Sequence, residues 1–179
     1  MIKNIVFDFG GVLLTEDDNW LLINETKKLL GTNTKHLKEA WNFAWPDARS
    51  GQIIEDEFFK RFLQNLFGNS NPDLVLNLKK IYRKSFGKLD TFDLLPELKR
   101  NYKMFALTNI IKDWLSLKVN KFNLNNFFDL IISSCDEGVA KPSKEIFLSL
   151  IKKGQINPEE SVFIDNFKRN IKPARELGF

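Results

Sequence analysis

Asp8 stands between an apolar run, Ile5-Val6-Phe7, and a glycine pair, Gly10-Gly11. A buried strand that ends on a carboxylate and turns at glycine delivers that carboxylate to the C-terminal edge of a parallel sheet, where α/β proteins collect their ligands. Such a group could act as a nucleophile. A turn-capping role competes with this reading, because Asp and Gly are ordinary turn residues. Three later segments bear on the choice. Leu107-Thr108-Asn109 puts a hydroxyl and an amide, both able to bind an anion, behind a second apolar run. Glu137-Gly138-Val139-Ala140-Lys141-Pro142 offers an ammonium group, and Pro142 biases the Lys141 backbone toward an extended form. Val162-Phe163-Ile164-Asp165-Asn166, with Asn170 in the following turn, adds further oxygen ligands.

Composition limits what these groups could hold. The chain has one cysteine, Cys135, and one histidine, His36, so it forms no internal disulfide and carries no Cys/His cluster for zinc. Any metal must bind to oxygen, which favours Mg2+. His36 lies in a polar stretch remote from the other motifs and reads as a solvated helix-end residue rather than a catalytic base.

The elements that must position these groups follow from hydrophobic pattern. Four short apolar runs, 2–9, 104–107, 130–133 and 161–164, read as buried parallel strands. Helical patterns at 112–122 and 143–153 alternate with the last three, as in a sheet covered on both faces. Between the first and second strands there is no strand pattern, only amphipathic segments at 20–30, 34–43, 54–67 and 74–86. So long a connection is expected to pack as a small helical unit over the ligand end of the sheet. Its aromatics, Trp41, Phe43, Trp45, Phe58, Phe59 and Phe62, read as core stripes, and the polar segment Asp47-Ala48-Arg49-Ser50-Gly51 as a turn whose Arg49 reaches a substrate.

At 179 residues, with 43% hydrophobic and 28% charged content, the chain has the make-up of one globular domain, or of one domain with an insertion. No apolar stretch approaches the roughly 20 residues that span a bilayer, and Asp8 interrupts the N-terminal apolar segment, so neither a membrane span nor a signal peptide is expected and the cytoplasm is the expected location. The net charge of +4 suits an anionic ligand. The densest basic run, Lys79 to Lys84, repeats at helical spacing and reads as a solvated face rather than a nucleic-acid patch.

The order of these parts, strand-Asp, long helical insertion, strand-Thr-Asn, Lys-Pro before a helix and strand-Asp, resembles the haloacid dehalogenase superfamily, in particular phosphatase-type members with a helical cap after the first motif. The likeness spans nearly the whole chain. It is most specific from Ser133 to Phe147, similar to the family's lysine motif with its helix, and the segment from Gly51 to Phe58 also looks familial. The resemblance implies a three-layer Rossmann-like core from residues 1–15 and 92–179, a helical cap from 16–91, and a missing last core strand that leaves strand four at an edge or covers it with a partner, such as a second copy. It further implies a Mg2+-dependent phosphatase of small phosphorylated metabolites, acting through an aspartyl phosphate on Asp8. Thr108 and Lys141 would share in catalysis. Thr108, Asn109, Lys141 and Arg49 would bind substrate, and Asp8, the Gly10 carbonyl, Asp165 and Asn166 would hold the metal.

Two positions depart from the family pattern. A second Asp usually stands two residues after the nucleophile, where it protonates the leaving group; here the residue is Gly10. Strand four often ends in two acids; here the pair is Asp165-Asn166, and Asn ligates without a charge. Two other readings therefore stand beside the phosphatase: a degenerate member that binds phosphate ligands or a protein partner without turnover, and a haloacid dehalogenase needing no metal.

Overall fold

The computed structural model describes residues 1–179, apart from the side chain of Trp20. Four strands, β1 (Asn4–Phe7), β2 (Lys103–Thr108), β3 (Leu130–Ser133) and β4 (Ser161–Ile164), form one parallel sheet in the order β3-β2-β1-β4. Register sets the level of the strand ends: Phe7 pairs with Ala106 and Ile164, and Thr108 with Ser133. Asp8, Asn109 and Asp165 therefore leave the sheet at one edge, as the motif positions imply. β4 is an outer strand, with Val162 and Ile164 exposed.

Side chains alternate across the sheet, and both faces are buried. Ile5, Phe7, Met104 and Ala106 enter one core, while Val6, Phe105, Leu107 and Ile132 enter the other. The second core is closed by α8 (Lys144–Gly154), through Ile146, Phe147 and Leu150. On the first face lies α6 (Lys112–Phe122), and the four helices inserted between β1 and β2 continue its core. The short helices α5 (Leu95–Leu98) and α7 (Ser134–Glu137) and the last helix, α9 (Lys168–Glu176), complete the α/β fold.

The inserted helices are α1 (Trp20–Leu30), α2 (Thr34–Arg49), α3 (Glu55–Phe67) and α4 (Pro72–Ser85). Asn19, Asn33 and Asn71 cap α1, α2 and α4 by accepting from first-turn N–H groups, which places each start within two residues of the sequence reading. The reading of α2 ends too early. The helix runs six residues past 43, through Pro46, so Asp47, Ala48 and Arg49 form its last turn rather than a loop. A helical proline costs about 3 kcal/mol; Ala40, Ala44 and Ala48, buried along one stripe, hold α2 against its neighbours through the break.

The insertion is fastened to α6. Trp114 is fully buried, stacks on Tyr82 at 3.8 Å between ring centroids, and donates Nε1–H to Glu55 Oε1 at 2.9 Å. Glu55 also accepts from Arg83 at 3.1 and 2.9 Å, and Lys79 lies 3.3 Å from it, so two of the basic residues at 79–84 are ion-paired. Asp17 accepts from Tyr82 Oη at 2.6 Å and from the buried Lys118. The chain passes between sheet and insertion along paired segments, with Thr15 N–H donating to Gly87 and Leu89 N–H to Leu13, both at 3.0 Å. Among the described residues no helix is long and apolar enough to cross a membrane. His36 sits exposed in the first turn of α2, as expected.

Candidate active site

Asp8 follows β1 and is 7% exposed. Its Oδ1 accepts the Phe9 N–H at 2.7 Å and lies 3.1 Å from Lys141 Nζ, while Oδ2 carries no hydrogen bond among the described residues. Lys141, 1% exposed, also donates to Asp165 Oδ2 at 2.7 Å. One buried cation thus serves two carboxylates. Burial pushes the Asp8 carboxyl above its ordinary range; Lys141 opposes this and the Asp165 charge adds to it.

The Lys141 ammonium is aimed by its backbone. Asn109 Nδ2 donates to the Lys141 carbonyl at 2.9 Å and Asn109 Oδ1 accepts the Lys141 N–H at 2.8 Å. This gives Asn109 a role beyond the expected one: its Oδ1 and one of its two Nδ2–H groups clamp Lys141, from the cavity wall. Asp165 is reassigned: its side chain is fully buried and accepts from Lys141, from Phe167 N–H at 2.8 Å and from Asn170 Nδ2 at 3.0 and 2.9 Å, so it does not face the cavity as a metal ligand. Thr108 ends β2 and is 2% exposed; the cavity wall takes Asn109 instead.

On the other side of Asp8 lies a residue that sequence reasoning missed. Glu16, in the connection to α1, enters the cavity beside Gly10 and accepts a hydrogen bond from Asn166 Nδ2. Burial pushes its carboxyl up against the pull of that bond, and Asp18, Asp8 and Asp17 add to the shift. A glutamate just past a strand-turn motif has no pattern of its own, which is why it gave no signal.

The cavity between sheet edge and insertion holds about 150 Å3 and is lined by Asp8, Gly10, Glu16, Lys141 and Asn170 on the sheet side. The insertion contributes Trp41, Asn42, Trp45 and Arg49. Arg49 is therefore where it was expected, though from a helix end, and Arg169 of α9 lines the same space. Neither arginine has a carboxylate within ion-pair distance among the described residues, and burial with the Arg169 charge nearby lowers the Arg49 pKa. Trp41 and Trp45 pack on Trp114 at 5.7 and 6.0 Å, as core residues would, and also form cavity wall. Phe43, read as core, is 63% exposed. A larger cavity of about 230 Å3 lies within the insertion, sharing Asp18, Trp41 and Asn42 with the first but reaching no group of the sheet edge.

A buried carboxylate beside a buried lysine at the edge of a parallel sheet, under a helical insertion, defines a class. The chain belongs to the haloacid dehalogenase-like hydrolases, whose family model matches residues 2–178. It is similar to the D-ribitol-5-phosphate phosphatase of Bacteroides thetaiotaomicron, 30% identical over 189 residues that cover 100% of this chain and 90% of that one. It is also similar to the glyceraldehyde 3-phosphate phosphatase of Methanocaldococcus jannaschii, 36% identical over 198 residues, 99% of this chain and 82% of that one. A haloacid dehalogenase family enzyme of Bacteroides thetaiotaomicron, solved with magnesium and inorganic phosphate, matches with a TM-score of 0.81 and 26% identity, covering 100% of this chain and 92% of that chain.

Proposed function

We propose that the chain is a Mg2+-dependent phosphatase of small phosphate monoesters that works through an aspartyl phosphate on Asp8, with residues 16–91 as the cap over the site. The observation that carries this reading is the placement of Lys141 Nζ 3.1 Å from Asp8 Oδ1, on the wall of a cavity that also receives Arg49 and Arg169. Similarity to phosphatases of small sugar and polyol phosphates supports it.

The donors at this edge suit a hard cation. Asp8, the Gly10 carbonyl and the Asn166 amide are oxygen ligands, Glu16 stands among them, and Asn170 Oδ1, buried beside the same cavity, has no donor among the described residues. Asp8, Gly10 and Asn166 would hold Mg2+, which when bound supplies positive charge to a phosphate dianion approaching a carboxylate. The remaining steps belong to the protein. Phe9 N–H and Lys141 occupy Asp8 Oδ1, leaving Oδ2 to attack phosphorus in line. Lys141, with Arg49 and Arg169 at the wall, stabilises charge on the non-bridging oxygens as the bond to the leaving alkoxide breaks. The leaving alkoxide takes a proton from solvent; water then attacks the phosphorus of the acyl phosphate and gives up a proton to solvent, releasing phosphate and restoring the Asp8 carboxylate.

Hydrolysis of an aryl phosphate, measured with and without Mg2+ for wild type and Asp8→Asn, tests this. Turnover requiring both Mg2+ and Asp8 is the expected result. Undiminished turnover in Asp8→Asn would overturn it, and so would an inactive wild type that still binds phosphate.

A further inference from the structure

We infer that Glu16 is a charged ligand of the metal site, delivering through the fold the negative charge that Asn166 lacks; the inference rests on the magnesium-dependent reading above. The first observation is placement. Glu16 shares the cavity wall with Asp8 and Gly10, and Asn166, 150 residues away in sequence, donates Nδ2–H to its Oε1.

The second is the space kept for it. A Cβ built on Gly10 would stand 3.2 Å from Glu16 Oε2, and one on Gly11, whose φ is +70°, would overlap both Glu16 Oε1 and Asn166 Nδ2. A side chain at the usual second-acid position would therefore crowd the Glu16 carboxylate, and one at position 11 would displace it. The charge missing at position 166 is thus supplied from beside Gly10.

The third is charge. Asp8 has Lys141, and Asp17 has Lys118. Glu16 lies among the charges of Asp8, Asp17 and Asp18 and has no Lys or Arg within ion-pair distance among the described residues. A half-buried carboxylate in acidic surroundings is unfavourable unless a cation joins it. Asn170, 2% exposed in the same wall with its Oδ1 unpartnered, leaves another oxygen there without a donor. Together these are the all-oxygen surroundings that a divalent hard cation takes, and its affinity rises with the number of charged ligands.

The test is Mn2+ binding, followed by loss of the free-ion electron paramagnetic resonance signal, with Mg2+ competition, for wild type, Glu16→Gln, Asn166→Asp and the double variant. Thermal unfolding of each metal-free protein checks that the fold is kept. Glu16→Gln is expected to bind Mn2+ at least about tenfold more weakly, the minimum loss that even outer-sphere partners of a metal produce. Asn166→Asp is expected to bind more tightly than wild type, and the double variant to recover what Glu16→Gln loses. Equal affinity of Glu16→Gln and wild type, or no binding by wild type, would overturn the inference. The aryl phosphate assay keeps the two readings apart. Asp8-dependent turnover with unchanged Mn2+ affinity in Glu16→Gln overturns only the role of Glu16. Metal binding that depends on Glu16 in a protein without turnover overturns only the phosphatase.

Discussion

The two flanks of Asp8 treat buried charge in opposite ways. On one flank, Lys141 joins Asp8 and Asp165, and nearly every polar atom has a partner: Asn109 grips the Lys141 backbone at both ends, and Asn170 Nδ2 bonds both Asp165 oxygens. On the other flank, Glu16 and Asn166 meet over two glycines with no cation of their own. The first flank is assembled by the protein alone and holds the Asp8 carboxylate in place. The second is left anionic and suits a ligand from solution. An enzyme that must position a carboxylate and also receive an anionic substrate gains from this division, because the fixed cation need not move and the charge on the open side is set by what binds.

Breaking the closed flank should have the largest consequences. Asp8→Asn should lower aryl phosphate turnover by about 10,000-fold or more, since the proposed reaction forms its covalent intermediate on the Asp8 carboxylate and an amide is not a comparable nucleophile. Lys141→Ala should come next. It strands Asp8 and Asp165 together without a cation, a change worth about 3–5 kcal/mol of stability, readable by urea unfolding, with turnover lost as well. A smaller effect belongs to the open flank: Mg2+ at 100 times its Kd should stabilise the protein by about 2.7 kcal/mol, reversed by a chelator, whereas the same addition to Asp8→Asn should do less. Asn109→Ala should follow. Losing both hydrogen bonds to Lys141 costs about 1–3 kcal/mol, and kcat should fall more than KM rises, because a displaced ammonium affects the transition state more than binding.

The smallest effect concerns pH and sharpens the contrast. The folded state raises the Asp8 pKa from its ordinary 3.8, chiefly by burial. Its proton is therefore held more tightly in the folded than in the unfolded chain. The stability this group contributes is present in full below the unfolded pKa and is lost as pH rises through the folded one. Asp8→Asn should melt higher than wild type at neutral pH, with the difference shrinking as pH falls toward 4. A constant difference across that range would mean that burial of the charge is not what the variant relieves.

Much of this was legible in the chain. Asp8, Lys141 and Asp165 stand at strand ends or before a proline, where local pattern and function coincide, and period-two apolar runs located the strands to within two residues at each end. Amphipathic periodicity put the starts of α1, α2 and α4 within two residues of where the structure caps them with Asn19, Asn33 and Asn71. Where local signals conflicted with packing, packing prevailed. The polar segment 47–51 read as a turn, but the buried alanine stripe carries α2 through Pro46 to Arg49. Trp41 and Trp45 read as core, and they are, yet each also has a side on the cavity, a property no spacing encodes.

The sequence by itself determined the α/β alternation, the long helical insertion and the line of motifs at one sheet edge, because strand and helix periods and turn chemistry are properties of neighbouring residues. Only the tertiary structure decided which partner each motif residue takes. Asn109 turns to Lys141 and Asp165 turns inward, while Glu16 comes up against Gly10 and Asn166 across 150 residues of chain. Hydrogen bonds and charge pairs act over a few ångströms of space, and the fold, not the order of residues, sets which groups come that close.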